Sequence, residues 1–398
     1  MKKAKFTRIL SLALAVVMVS MLALTGCGET KTPDDTQKSN LKVALITSAA
    51  GANDKGYNES AVNGLKKVES ELGIETKVTE STDIPQSLAQ LAESGYQLIF
   101  SLEYDFDALI KGVGGAKPIA EQYPNTTFVI FNDNPNLNAD GTPIHKNVIS
   151  VLFDVHQASF LSGVLSAYVI ENAQELFGTQ DYAFTTGEGG RKVGFIGGTK
   201  SNGITVFGYG FAEGVNYAAK ELGVKYTYYS DYNAGFVDSA AGANRANSFY
   251  SNGANVVFSC AGAVGDGVTS KAKEIKKLAI EVDANKDENQ PGYILTSVMK
   301  NTEVPVFEIV EKMKNGTLDE IAGKGVSYDL KSGATGITDL ATIESKVQES
   351  GKAKWEEVKA KVAEAKAKIE SGEIRVTNAQ AGENFDKTAL TNLDMPND

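Results

Sequence analysis

The chain has 398 residues, 42% of them hydrophobic, and a formal net charge of −11 at pH 7. That length and apolar content suffice for two domains with cores of their own. The absence of any basic block beyond the extreme N-terminus excludes a phosphate-binding face, so nucleic acid is not an expected partner.

Lys2, Lys3, Lys5 and Arg8 precede an apolar run from Ile9 to Leu24 that is short and charged on one side only. This is the pattern of a secretory leader over residues 1–26 rather than a membrane span. Leu24-Thr25-Gly26-Cys27 resembles a bacterial lipobox, which implies acylation of Cys27. Residues 27–40 are polar, contain a proline and lack periodicity, as expected of a flexible tether. The one other cysteine, Cys260, lies in the apolar run VVFSC and reads as a small core residue, so the mature chain has no disulfide to form.

After the tether the chain alternates strand and helix. Leu41–Thr47 reads as a strand and Tyr57–Leu72 as its helix, with Val62, Leu65, Val68 and Leu72 on one face. Glu75–Ser81, Gln97–Leu102, Thr126–Phe131 and Val148–Phe153 follow as strands, separated by helices at Pro85–Ser94 and Ala108–Tyr123, the latter interrupted by Gly112 to Gly115. Ala158–Glu171 is an apolar helix whose Ser162 and Gly163 suggest close packing near a lobe boundary. The order then repeats through strands Val193–Ile196, Lys225–Ser230, Asn255–Cys260, Ala279–Val282 and Tyr293–Val298. Pro305–Lys314 is expected to return to the first lobe, and Lys352–Ile369 is an amphipathic helix with Trp355, Val358, Val362, Ala365 and Ile369 on its apolar face.

The repeat has a period of roughly 150 positions. RKVGFIG matches LKVALIT, and the register sets Gly64 opposite Gly214 and Tyr57 opposite Phe207. The expected architecture is α/β, two Rossmann-like lobes with parallel sheets. Lobe 1 is expected over residues 41–155 plus about 285–325, lobe 2 over 156–284 plus about 326–380, and residues 381–398 form a tail. In open parallel sheets ligands bind beyond the carboxyl ends of the strands. Polar groups gather there: Ser48, Asn53, Asp54 and Asn58 after the first strand, Glu103 and Asp107 after the third, Asn132 after the fourth, and Asp283 and Lys300 in the second half. Carboxylates accept from diols, and two facing aromatics clamp a flat ring, so a nucleoside or a sugar suits the set. The segment AGAVGDG, with Gly262, is either a close backbone approach to a ligand or a plain turn. There is no GxxxxGK[ST] loop, no GxSxG elbow, and no metal spacing around His145 and His156. No enzyme activity, metal or cofactor is expected.

Several motifs in order carry a family resemblance over nearly all of the mature chain. NDKGYN (53–58), the NVISVLF to SFLSGVLSAY block, KVGFIGG (192–198) with FGYGFAEGV, GANVVFSCAGAVGDGV, LTSVMKN and KIESGEIRV resemble the basic membrane lipoprotein family, the PnrA-like substrate-binding proteins of ABC transporters. That resemblance implies a periplasmic-binding-protein type I fold with a hinge. It further implies a lipid-anchored monomer on the extracytoplasmic face of the cell membrane that captures a nucleoside, with a purine as the expected base, and serves ABC permease subunits. By position, Tyr57 and Phe207 would stack on the base, Asp283 and Lys300 would bind ribose hydroxyls, Gly262 would offer backbone near the sugar, and Glu103 or Asp107 would read the base edge. The chain departs from the family pattern in carrying Ser48 and Asn132 where an aspartate is usual, and Tyr57 where phenylalanine is commoner. A sugar or signal-molecule receptor of the same fold is the alternative.

Overall fold

A computed structural model of the protein describes residues 40–396 with the exception of Tyr104. The expected leader, Cys27 and all of the tether but Asn40 lie outside the described residues.

The first half builds β1 (Lys42–Ile46), α1 (Tyr57–Lys67, prolonged by a π turn over Val68–Leu72), β2 (Glu75–Thr79), α2 (Ile84–Glu93) and β3 (Leu98–Ser101). The short helices α3 (Asp107–Ile110) and α4 (Ile119–Gln122), then β4 (Thr127–Phe131) and β5 (Val148–Phe153), complete it. One long apolar helix α5 (Val155–Glu171) and the short α6 (Ala173–Phe177) lead to the second half. There β6 (Lys192–Gly197), α7 (Asn202–Leu222), β7 (Tyr226–Asp231), α8 (Ser239–Ser251), β8 (Val256–Cys260), α9 (Val264–Glu274), β9 (Leu278–Asp283) and β10 (Ile294–Lys300) follow. The chain ends through α10 (Glu303–Lys314), β11 (Gly325–Tyr328), β12 (Thr335–Ile337), α11 (Ala341–Glu344), α12 (Lys352–Ser371) and β13 (Leu393–Asp394).

The strands form two sheets, ordered β2-β1-β3-β4-β5-β11 and β13-β7-β6-β8-β9-β10-β12. Every pairing is parallel except that of β12 with β10. Helices cover both faces, which is why the central strands are near-continuous apolar runs: Val43 to Ile46 and Val256 to Phe258 are fully buried. Both sheets have the doubly wound order, so each has a switch point where the helices change face, between β1 and β3 in one and between β6 and β8 in the other.

Three expectations are corrected by these pairings. Residues about 285–325 do not all belong to the first lobe: β10 pairs with β9 in the second sheet, and α10 crosses back to pack on α1. Residues about 326–380 are not wholly in the second lobe, because β11 pairs with β5 in the first sheet. Residues 381–398 are not a free tail over their described part. β13 pairs with β7, Leu390 and Leu393 are buried, and Phe385 stacks on Tyr209 with ring centroids 4.0 Å apart. Two- to four-residue strands are too short to show alternation, so their partners are chosen by tertiary docking.

The glycines of AGAVGDG also have a different role from a loop. Gly265 and Gly267 lie inside α9, and a Cβ on Gly267 would stand 1.7 Å from the Ser239 carbonyl of α8. They allow two helices to touch. The same device joins the halves: α5 is buried almost throughout, and a Cβ on Gly214 of α7 would meet the Phe160 carbonyl of α5 at 2.0 Å. The chain passes between the two sheets after β5, after β10 and after β11.

Candidate functional site

Tyr57 is the first residue of α1 and sits above the carboxyl ends of β1, β3 and β4. It is 7% exposed, its hydroxyl donates to the Leu102 carbonyl at 3.3 Å, and it accepts from Nδ2 of Asn132 at 2.8 Å. Its ring stands edge-on to Phe131, the last residue of β4, at 6.5 Å. The loop ahead of it is held by Asp54. One Asp54 carboxylate oxygen accepts from the Gly56 and Glu59 amides, each at 3.0 Å, and the other from the Asn58 amide at 3.0 Å and Asn58 Nδ2 at 2.8 Å. Asn58, fully buried, also donates to Ser48 Oγ at 2.9 Å and accepts from the Ser48 amide at 2.8 Å. Asp54, Asn58 and Ser48 are thus brought together as the frame that starts α1 and aims Tyr57, a carboxylate doing the work of a helix cap.

The second lobe meets this frame at Lys300 and Asp283. Lys300 ends β10, and its Nζ lies 5.4 Å from the ring centroids of both Tyr57 and Phe153. It is 9% exposed and makes no side-chain hydrogen bond or ion pair with a described residue. Burial pulls its pKa down, while the charge of Asp283 pulls it up. A shielded ammonium over two rings, with three donors unspent, is an acceptor-seeking group. Asp283 ends β9 and lies near the first lobe, for a Cβ added to Gly56 would stand 3.7 Å from the Asp283 Cβ. The fully buried Thr302, just past Lys300, donates to the Tyr57 carbonyl at 2.7 Å.

Asn132 and Asp283 share an unusual backbone. Each stands at the end of the fourth strand of its lobe, with φ of +71° and +73° respectively. A left-handed conformation away from glycine stores strain, and strained residues gather where a surface must be shaped for a ligand. The repeat therefore extends beyond the sequence match to a turn that points one polar side chain out of each sheet.

Phe207, on the second turn of α7, is 2% exposed with its ring edge-on to Phe258 at 6.4 Å, and it belongs to the same continuous apolar cluster as Tyr57. Gly262 is exposed with φ +54°, and a Cβ there would meet the Phe236 carbonyl at 2.8 Å. Glu103 is half-buried, and Asn53 is exposed. Asp107 opens the short α3, with its side chain 63% exposed and ion-paired to Lys111 at 3.0 Å. Cys260 is buried, and its thiol is pushed well up, first by burial and then by Asp283, so it stays a protonated thiol. Below it, Glu281 is raised to about 7 by burial, with Lys286 Nζ at 3.4 Å.

Sequence reading missed Phe153, Thr302 and Gln380. Gln380 Nε2 donates to the Asn132 carbonyl, so the segment after α12 reaches from the second lobe onto the first. Phe153 was legible only as an apolar strand end, and Gln380 lay in a stretch without periodicity. Among the described residues no cluster of three or more His, Cys, Asp or Glu side chains could hold a metal ion, and no helix is long and apolar enough to cross a membrane.

Residues 41–369 match the family model described as ABC transporter substrate-binding protein PnrA-like. The ABC transporter nucleoside-binding protein BmpA of Lactococcus lactis subsp. cremoris is 27% identical over 359 residues, covering 83% of this chain and 92% of that protein. Basic membrane protein A1 of Borrelia garinii subsp. bavariensis is 30% identical over 302 residues, covering 74% and 79%. Among solved structures, an ABC transporter solute-binding protein from Aeropyrum pernix superposes with a TM-score of 0.66 at 21% identity, covering 88% of this chain and 95% of that one, a likeness of fold. With the family model spanning most of the chain and two sheets meeting at a shared edge, the protein belongs to the PnrA-like family of ABC transporter substrate-binding proteins, which bind and deliver solutes rather than transform them.

Proposed function

We propose that this protein captures a nucleoside, with a purine as its base, between its two lobes and delivers it to an ABC permease. The observation that carries the reading is the meeting of Tyr57 with Lys300: an aromatic face from one lobe, and from the other a shielded ammonium that feels the charge of Asp283. A flat base stacks on the ring, and ribose hydroxyls give acceptors to Lys300 and donors to Asp283. The name of the Lactococcus relative supports the nucleoside. Phe207 supplies the opposing ring and Gly262 a bare backbone edge beside the sugar. Glu103 faces the base, with Asp107 and Asn53 at the rim. Stacking contributes roughly 1–3 kcal/mol per face, and a hinge closing the two lobes is the change a permease reads.

Calorimetry with adenosine, guanosine, inosine and ribose tests this. Saturable binding of at least one purine nucleoside, with ribose much weaker, is expected; binding of ribose alone favours a sugar receptor of the same fold. The monomer carries Cys27, the first residue after the leader, as its lipid anchor, which holds it on the extracytoplasmic face of the cell membrane. Two or more acyl chains hold a protein stably on a bilayer. The variant Cys27→Ala is therefore expected to leave the membrane fraction for the soluble one, and persistent membrane association of that variant would count against the anchor.

A further inference from the structure

We infer that Thr302 is a positioning residue for nucleoside capture: it ties Tyr57 to the segment that carries Lys300, so that ring and ammonium stand assembled before the ligand arrives. The inference rests on the nucleoside reading above. Lys300 ends β10 in the second sheet, yet the two rings beneath its Nζ, those of Tyr57 and Phe153, belong to the first lobe, each centroid 5.4 Å away. On its other side the strand end is held within the second lobe. There the Asn301 amide donates to the Ala334 carbonyl at 2.8 Å, and Asn301 Nδ2 donates to the Gly333 carbonyl at 2.9 Å. A tight turn, in which the Thr302 amide donates to the Lys300 carbonyl at 2.9 Å, then brings the chain onto α1. The fully buried Thr302 hydroxyl donates to the Tyr57 carbonyl at 2.7 Å, and the Glu303 amide donates to Ser60 Oγ at 3.2 Å.

Thr302 stands at the N-cap of α10, where a threonine oxygen ordinarily accepts from an amide of its own helix. It makes no such bond. Its proton goes instead to a carbonyl of the other lobe, which has two lone pairs and can keep its helical partner as well. Neither helix requires this bond. What it fixes is the distance between the first turn of α1 and the strand end two residues before Thr302. Without it, Tyr57 and Lys300 are each held by their own lobe, and their present separation becomes one of several. A ligand that needs both groups at once then finds only a fraction of the molecules ready, and its apparent affinity falls by that fraction. With its hydroxyl spent inside the protein, Thr302 offers the ligand no contact. Its loss therefore slows association, whereas the loss of a ligand contact speeds dissociation.

Stopped-flow binding of inosine, adenosine and guanosine to the full-length protein tests this. Thr302→Val keeps the branched shape in the core and removes the hydroxyl. For each nucleoside the wild type binds, it is expected to slow association about tenfold and to change dissociation by less than about twofold. Thr302→Ala also lacks the hydroxyl and is held to the same expectation. Thr302→Ser retains it and should bring association back to within about twofold of wild type. Ser60→Ala removes the neighbouring bond between the same two helices, and it should leave both rates within about twofold, which separates positioning from general loosening. Unchanged association without the hydroxyl, a loss confined to dissociation, or an equal loss in Ser60→Ala overturns the inference and leaves the nucleoside reading standing. Failure of the wild type to bind any of the three overturns both.

Discussion

Glu281 lies on β9 with 2% of its surface exposed, between Lys286 and the tight contact of Gly265, where a Cβ would lie 3.0 Å from either carboxylate oxygen. Burial raises its pKa from 4.5 to about 7. The native chain therefore holds a proton there that the unfolded chain has released, and stability falls as pH rises from about 4.5 to about 7. The contribution is on the order of 3 kcal/mol. Glu281→Gln should flatten that part of the profile, as measured by urea unfolding at the two ends of the window. An unchanged drop would show that other groups set it. At this scale the polar candidates were legible as types and positions, because carboxyl ends of strands could be located from the apolar runs. Their division of labour was not. Asp54, Asn58 and Ser48 bond one another, which separates them from Lys300, whose side chain bonds no described residue.

Helices α5 and α7 pack so closely that their glycines are structural requirements. Gly214 has ordinary helical geometry, so substitution there meets a purely steric cost: the added methyl would press on the Phe160 carbonyl. Gly214→Ala is expected to destabilise the protein by about 1–3 kcal/mol, visible as a lower thermal midpoint. A neutral result would mean the crossing can open without loss. The register between the two halves set Gly64 against Gly214, and both serve contact, since a Cβ on Gly64 would stand 2.9 Å from Glu303 of α10. The amphipathic face of α12 was also readable, with Trp355, Val358, Val362, Ala365 and Ile369 all buried. The start of α9 was not, because glycines that read as a loop in sequence are tolerated in a helix when a neighbouring backbone replaces the missing side chain.

For the whole molecule, the contacts of Thr302 and Lys300 with Tyr57 and of Gln380 with Asn132 all join the two halves at one edge. A ligand inserted among them binds the native chain only, so a nucleoside at 100 times its dissociation constant should add about 2.7 kcal/mol to the unfolding free energy. Chemical unfolding with and without ligand measures this, and no shift at that concentration would show that the nucleoside does not bind the native chain in preference to the unfolded one. From the sequence alone came the class of fold and its doubled sheet, because burial on both faces of a parallel sheet forces apolar runs and leaves polar residues at their ends. Only the tertiary structure decided which lobe owns β10 and β11, how the last residues dock, and that Asn132 leans on Tyr57. Those outcomes depend on contacts between residues far apart in the chain, whose free energy comes from packing and from shared hydrogen bonds that no local pattern encodes.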